Sequence, residues 1–260
     1  MDSKNPKVYH ESGFDSRQFL EHYVSDSPGM VFEEDFLIFP IESLRKTFTE
    51  DHIRGDILID LSLGSLVHQL YAACDFFKHI IVLKTRDRCI MELKRWVDTR
   101  TGAFHWGHVT KLHADTGDDS DKLQEKEEKM RLALQHVVKC DIDKENMTDP
   151  IILPPADCII CGWLLDNISK DQDGFIKYLR KFSGLLKPGG HFILLGCLES
   201  TYYTVGKDKL FLLNYDEDFA RKALVGEGFG IDRCEVKKRT SVSDLVDYKA
   251  VIFIAAHKEK

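Results

Sequence analysis

From residue 56 onward, short apolar runs alternate with stretches whose apolar residues recur at helical spacing. That alternation predicts a mostly parallel sheet with helices on both faces. The first run, Ile57-Leu58-Ile59, is too short for a helix and ends on an acid, Asp60. A turn of small residues follows (Ser62, Gly64, Ser65), then an apolar periodicity through Leu66, Val67, Leu70 and Tyr71 that predicts a helix over 66–77. Ile80 to Leu83 reads as the second strand, with a helix from Asp87 to Trp96. The stretch from Thr99 to Gly117 has no period and is rich in Gly, His and Trp. Segment 121–139 predicts a charged amphipathic helix with Leu123, Met130, Leu134 and Val137 inward, its EKEEK run a solvated face. A short strand is expected at the end of Val137 to Ile142, followed by a loop marked by Pro150, Pro154 and Pro155. Ala156 to Cys161 is the next strand, with a helix over 171–186. Leu186-Lys187-Pro188-Gly189-Gly190 reads as a sharp turn into a strand at His191 to Leu195. A loop from Gly196 to Asn214, a helix at 216–226 and two strands near 231–239 and 248–257, spaced as an antiparallel pair, complete the chain.

Residues 1–55 lack this rhythm. Asp15-Ser16 reads as an N-cap opening a short helix through Phe19, Leu20 and Tyr23. Beyond Pro28, a second amphipathic segment runs from Phe36 to Phe48, with Leu37, Ile41 and Leu44 on its apolar side. These segments predict a helical layer over the sheet edge, either a lid on a ligand or a plain cover. With no internal repeat and no low-complexity linker, the chain is expected to be one domain, with layer 1–55 on core 56–260.

Composition narrows the function classes. A formal net charge of -7 argues against a nucleic-acid surface. No apolar run reaches the ~18 residues of a membrane span, and the first residues lack the apolar core of a secretory leader. Seven cysteines, mostly within apolar runs, predict buried free thiols in a reducing compartment, hence the cytoplasm.

The candidate chemistry converges on the carboxyl edge of the sheet, where ligands bind in such folds. Cys158 and Cys161 have metal-pair spacing, but on a strand residues three apart point to opposite faces, so they read as core thiols. His105, His108 and His113 share a loop region without an acid and cysteine set to complete a metal site, so no metal is expected. There is no GxSxG elbow and no P-loop. In such a crevice an acid at the end of the second strand usually holds the hydroxyls of a ribose; the residues here are Lys84 and Thr85, with Asp87 able to reach back. Asp141 is placed to set a carboxylate near an adenine amino group, with the Ile142 amide toward a ring nitrogen, or else to cap a helix or strand.

PPADCII, LLKPGG, STYY and EKEEKMRLAL…VVKCDI together resemble the small-molecule N-methyltransferases that act on nicotinamide, indolethylamine and phenylethanolamine. The resemblance runs from GFDSRQFLEHY to the last strand. It implies a Rossmann-like class I methyltransferase fold, with a seven-stranded, mostly parallel sheet whose last strand is antiparallel. It also implies S-adenosylmethionine as cofactor, a small amine or N-heterocycle as methyl acceptor, and a monomeric cytosolic enzyme. In that chemistry the protein mainly aligns a neutral nitrogen lone pair with the sulfonium methyl.

Carried over residue by residue, the resemblance implies cofactor contacts from Tyr23, Asp60, Gly64, Thr85, Asp87, Asp141 and Ile142, and a substrate pocket including Ser200 and Tyr203. Tyr202 also matches. The chain departs from the pattern elsewhere. Two cofactor-touching tyrosines are Phe19 and Val24, and the DxGxGP turn reads Asp60-Leu61-Ser62-Leu63-Gly64-Ser65. A third tyrosine is His68, the ribose acid is Lys84 and an asparagine is Cys89. The substrate aspartate after the fifth strand is Gly196, and a serine that helps hold nicotinamide is Leu212, so no catalytic residue is assigned. Two readings follow: a methyltransferase with a reworked pocket, or a member that has lost catalysis and serves as a binding or regulatory protein.

Overall fold

The computed structural model describes residues 6–9, 13–113, 119–134 and 136–259. The first residues of the chain and the end of the Gly-, His- and Trp-rich stretch, 114–117, lie outside them.

The centre is β1 (Gly55–Asp60), whose Leu58 and Ile59 are buried completely. β1 pairs in parallel with β2 (Phe77–Lys84) on one side and β4 (Ala156–Gly162) on the other. β3 (His136–Lys139) extends the sheet beyond β2, and β5 (Leu186–Leu198) beyond β4. β9 (Ala250–Lys258) runs antiparallel between β5 and β8 (Phe229–Lys238). The order β3-β2-β1-β4-β5-β9-β8 is the seven-stranded sheet, with an antiparallel last strand, that the resemblance implies. The order in which the chain adds strands reverses between β1 and β4, so a crevice opens at their carboxyl ends. At the opposite end, the Asp157 carboxylate accepts from the Asp56 and Ile57 amides and pairs with Lys187 at 2.7 Å.

Helices α3 (His68–Ala73), α4 (Asp87–Val97), α5 (Gly107–His113), α6 (Ser120–Ala133), α7 (Leu165–Ile168), α8 (Gln172–Ser183) and α9 (Glu217–Gly226) connect the strands. Several boundaries differ from the periodicity. Leu66 and Val67 stay in the turn, and β2 begins at Phe77 because its backbone pairs with Gly55. α6 stops at Ala133, and Val137 belongs to β3, where pairing with Val82 draws it into the sheet. Cys140 only continues the ladder through its amide to the Lys84 carbonyl, so 140–142 is not strand. The Lys187-Pro188-Gly189-Gly190 segment is not a turn before β5 but a bulge inside it. Ala156 pairs with Leu186 and Cys158 with His191, and Gly189 takes φ +75° to absorb the extra residues. The expected loop after Gly196 contains a hairpin, β6 (Tyr202–Val205) and β7 (Asp208–Phe211). No described helix is long and apolar enough to cross a membrane.

The helical layer forms as expected, with a π-helical turn in it. α1 (Ser16–Tyr23) is capped by Asp15, whose carboxylate accepts from the Gln18 amide. The π-turn Glu34–Ile38 runs directly into α2 (Phe39–Glu50). The layer shares one hydrophobic cluster with the sheet, and Asp35 fastens it. Asp35 is fully buried and accepts from the Tyr248 hydroxyl at 2.5 Å, the Thr240 hydroxyl at 2.7 Å and the Thr240 amide at 3.0 Å. Replacing Asp35 by Ala strands these buried donors, so urea unfolding of Asp35→Ala will show a loss of about 1–3 kcal/mol; an unchanged midpoint contradicts this anchoring.

Candidate functional site

The turn after β1 is organised by two buried charges. Asp60 ends β1 and Lys84 ends β2, and their side chains are 0% and 2% exposed. The Lys84 ammonium donates to the Ser62 carbonyl at 2.8 Å and stands 3.7 Å from the Asp60 carboxylate. Asp60 also accepts from the Ser62 hydroxyl at 2.7 Å, the Gln69 side-chain amide at 3.1 Å and the Ser62 amide at 3.3 Å. The Ser62 hydroxyl in turn accepts from the Gly162 amide at 3.1 Å, which ties the turn to the end of β4. At an effective dielectric near 20, opposite charges ~4 Å apart attract by about 4 kcal/mol. Either ion alone would face a desolvation cost of several kcal/mol. The side chain of Lys84 therefore points into the crevice and is spent there.

Gly64 sits in the turn at φ +60°, and a Cβ there would stand 3.3 Å from the Phe14 ring and 3.4 Å from Phe19. Phe14, Phe19 and Tyr23 pack in tilted contact along the same edge, with ring centres 5.4 and 5.2 Å apart. Ser16 and Ser65 share a buried hydrogen bond at 2.5 Å. The start of the helical layer thus rests directly on the turn. Beside it, Tyr9 touches the Cys89 sulfur at 3.7 Å, while Arg86 lies over the Tyr9 ring and donates to its carbonyl.

The remaining residues named from sequence are dispersed. Tyr23 is buried, donating to the Thr204 carbonyl at 2.7 Å and accepting from the Thr204 amide at 3.1 Å. Thr85 is half-buried at the rim. Asp87 does not reach back toward the crevice; it is exposed and pairs with Lys139 at 2.9 Å across the β3 edge. Asp141 is exposed and accepts from the Asp143 amide at 3.0 Å, a local cap. Ile142 is buried, its carbonyl taken by Lys181. Ser200 turns away to donate to Asp247 at 2.9 Å. At Gly196 a Cβ would fall 2.0 Å from the Tyr215 hydroxyl and 3.3 Å from the Asp166 carboxylate, so other side chains fill the space beside it. Asp166 is fully buried, accepts from the Cys197 amide at 3.0 Å, and is raised by burial to about 6.

Tyr23, Phe19 and Tyr203 instead meet around a half-open apolar cavity of about 50 Å³, with Leu63, Trp163 and His68. Several of its polar atoms make no hydrogen bond among the described residues: both ring nitrogens of His68, Trp163 Nε1, Asn167 Oδ1 and the Tyr203 hydroxyl. Burial first, then the neighbouring His113 and His108, push His68 down to about 3, so its ring is neutral. Buried polar groups of this kind gain from a ligand or water that pairs them. Trp163 and Asn167 were not singled out from sequence, and only tertiary folding reveals that they border the turn. The arrangement suits a compact, neutral, mostly apolar guest offering both a donor and an acceptor.

Residues 5–259 match the model of the NNMT/PNMT/TEMT family. Nicotinamide N-methyltransferase of Homo sapiens is 32% identical over 247 residues, covering 95% of this chain and 94% of that protein. Indolethylamine N-methyltransferase of Oryctolagus cuniculus is 31% identical over 250 residues, 96% and 95% of the two chains. Phenylethanolamine N-methyltransferase of Mus musculus is 27% identical over 250 residues, 94% and 85%. Among solved structures, magnesium protoporphyrin IX methyltransferase of Synechocystis with bound S-adenosylmethionine superposes with a TM-score of 0.57 at 10% identity, over 95% and 99% of the chains. An S-adenosylmethionine-dependent methyltransferase from Clostridium acetobutylicum gives 0.53 at 15% identity, over 85% and 91%. The fold is that of the S-adenosylmethionine-dependent class I methyltransferases.

The charge pair at the turn has a measurable signature. Lys84→Met leaves Asp60 buried without its cation and will destabilise the chain by about 3–5 kcal/mol, whereas adding Asp60→Asn will recover much of the loss. Urea unfolding of the two single variants and the double variant measures this; additive losses would mean that the two side chains act independently.

Proposed function

The chain belongs to the NNMT/PNMT/TEMT family, and from that premise we propose a member that keeps the methyltransferase fold and a small-molecule pocket without the family's hold on S-adenosylmethionine. In this reading it works as a monomeric cytosolic binding or regulatory protein. Its ligand is a small neutral amine or N-heterocycle. The observation that carries the proposal is the buried Lys84.

A ribose needs an acceptor at the end of β2 for its two hydroxyls. Lys84 offers donors only, and its ammonium is engaged by the Ser62 carbonyl beside Asp60. The methionine arm needs close approach to the turn backbone, yet Phe14 and Phe19 lie against Gly64. On this reading the ribose and methionine parts of S-adenosylmethionine are held poorly, and no methyl-transfer step is derived through it. Losing a charge-assisted bond and two polar contacts amounts to several kcal/mol, or ~10³-fold in affinity.

A second reading is S-adenosylmethionine-dependent methyl transfer to a small amine or N-heterocycle nitrogen through an altered pocket. The near full-length family match favours it, as do Asp141 and Ile142, which keep the place of the adenine contacts. In that case nicotinamide itself is a poor acceptor, because Gly196 and Leu212 remove its polar anchors.

Incubation with methyl-labelled S-adenosylmethionine and nicotinamide, indolethylamine or phenylethanolamine decides between them. The proposal expects no label in any amine above a protein-free control. Protein-dependent, saturable transfer to any of them establishes the second reading instead.

A further inference from the structure

His105 and His108, which in sequence have no neighbouring acid, acquire one from the other side of the fold. Asp26, just beyond α1, brings its carboxylate to them, and the three ligand atoms all lie within 4.8 Å of one another. We propose that Asp26, His105 and His108 form a binding site for a divalent transition cation of the zinc class.

The first support is the state of His108. Its Nε2 lies 2.7 Å from the Val24 carbonyl, and a carbonyl only accepts, so Nε2 carries the proton. Nδ1 is then left with a lone pair, and it is buried and makes no hydrogen bond among the described residues. A ring whose outer N–H is held by a backbone carbonyl, leaving the other nitrogen bare, is the usual arrangement of a metal-binding histidine. The second support is room to close. Asp26 and His105 are exposed side chains on connecting segments, free to shorten the gap to the ~3.3–3.6 Å between ligand atoms that a tetrahedral site with bonds of about 2.0–2.2 Å implies. Gly107 makes the room for His105: a Cβ there would stand 2.6 Å from the imidazole ring.

The donor set selects the ion. Two imidazoles with one carboxylate suit Zn²⁺ and its neighbours, whereas Ca²⁺ and Mg²⁺ take oxygen ligands. A water completes four-coordination on the open side. His113 takes no part, since its Nε2 is at the His68 carbonyl and its ring stacks on Tyr71. Because Val24 lines the apolar cavity, an ion here ties the segment after α1, one wall of that cavity, to the start of α5. This site does not rest on the function proposed above.

Calorimetric titration of the chelator-stripped full chain with Zn²⁺ tests it, with Asp26→Asn, His105→Ala and the exposed-histidine control His79→Ala. One ion per chain is expected, with about tenfold or greater weakening in each of the first two variants and none in His79→Ala. Zn²⁺ is also expected to slow amide exchange at residues 24–27. No saturable binding below millimolar Zn²⁺ overturns the site. So does equal affinity in all four proteins, which marks adventitious binding elsewhere.

Discussion

Two opposite charges without access to water sit at the centre of this molecule. Asp60 and Lys84 end neighbouring parallel strands, and both are sealed from solvent. Burying either alone would be costly, so each holds the other in place. Three further hydrogen bonds to Asp60 come from Ser62 and Gln69, and the Ser62 hydroxyl reaches the Gly162 amide. The ends of β1, β2 and β4 are thereby locked to a single conformation of the turn. That lock lies at the mouth of the crevice where the order of the strands reverses, the place where folds of this kind engage ligands.

The layer above follows from the same constraint. With the turn fixed, Gly64 presents a smooth backbone face, and Phe14 and Phe19 pack against it, with Tyr23 beside Phe19, as aromatic rings do in a core. Asp35 secures the other end of the layer to Tyr248 and Thr240. What remains between layer and sheet is a small apolar space in which polar atoms of His68, Trp163, Asn167 and Tyr203 lack partners. These atoms give the site its chemical character.

Most of the architecture could be read from the chain because it rests on local pattern. Leu58-Ile59 and Ile80 to Leu83 are buried strand residues whichever partners they find, and Asp15 caps α1 through a bond within its own turn. What depended on tertiary pairing was less legible. The Pro188-Gly189-Gly190 segment reads as a turn, yet it is held in β5 by β4 on one flank. Val137 fits a helical stripe but is captured by β2. The site was legible in part. The resemblance implies departures at positions 62, 84 and 196, but sequence alone does not say which way a lysine points. Its direction is set by the Ser62 carbonyl and by Asp60, a turn and a strand away. Asp87 and Asp141 read as crevice acids; Asp87 pairs with Lys139, and Asp141 accepts from the Asp143 amide. The approach of Asp26 to His105 and His108 depends on how the helical layer docks, which no spacing rule carries.

The central claim is that the buried Lys84 occupies the position from which the family's fold would grip its cofactor. Isothermal titration of the full chain with S-adenosylhomocysteine, alongside a relative such as human nicotinamide N-methyltransferase, measures that grip without requiring turnover. The account predicts no saturable heat for this chain at millimolar ligand under conditions where the relative binds. Saturable micromolar binding, with the stabilisation of about 2.7 kcal/mol expected at 100 times Kd, would contradict it.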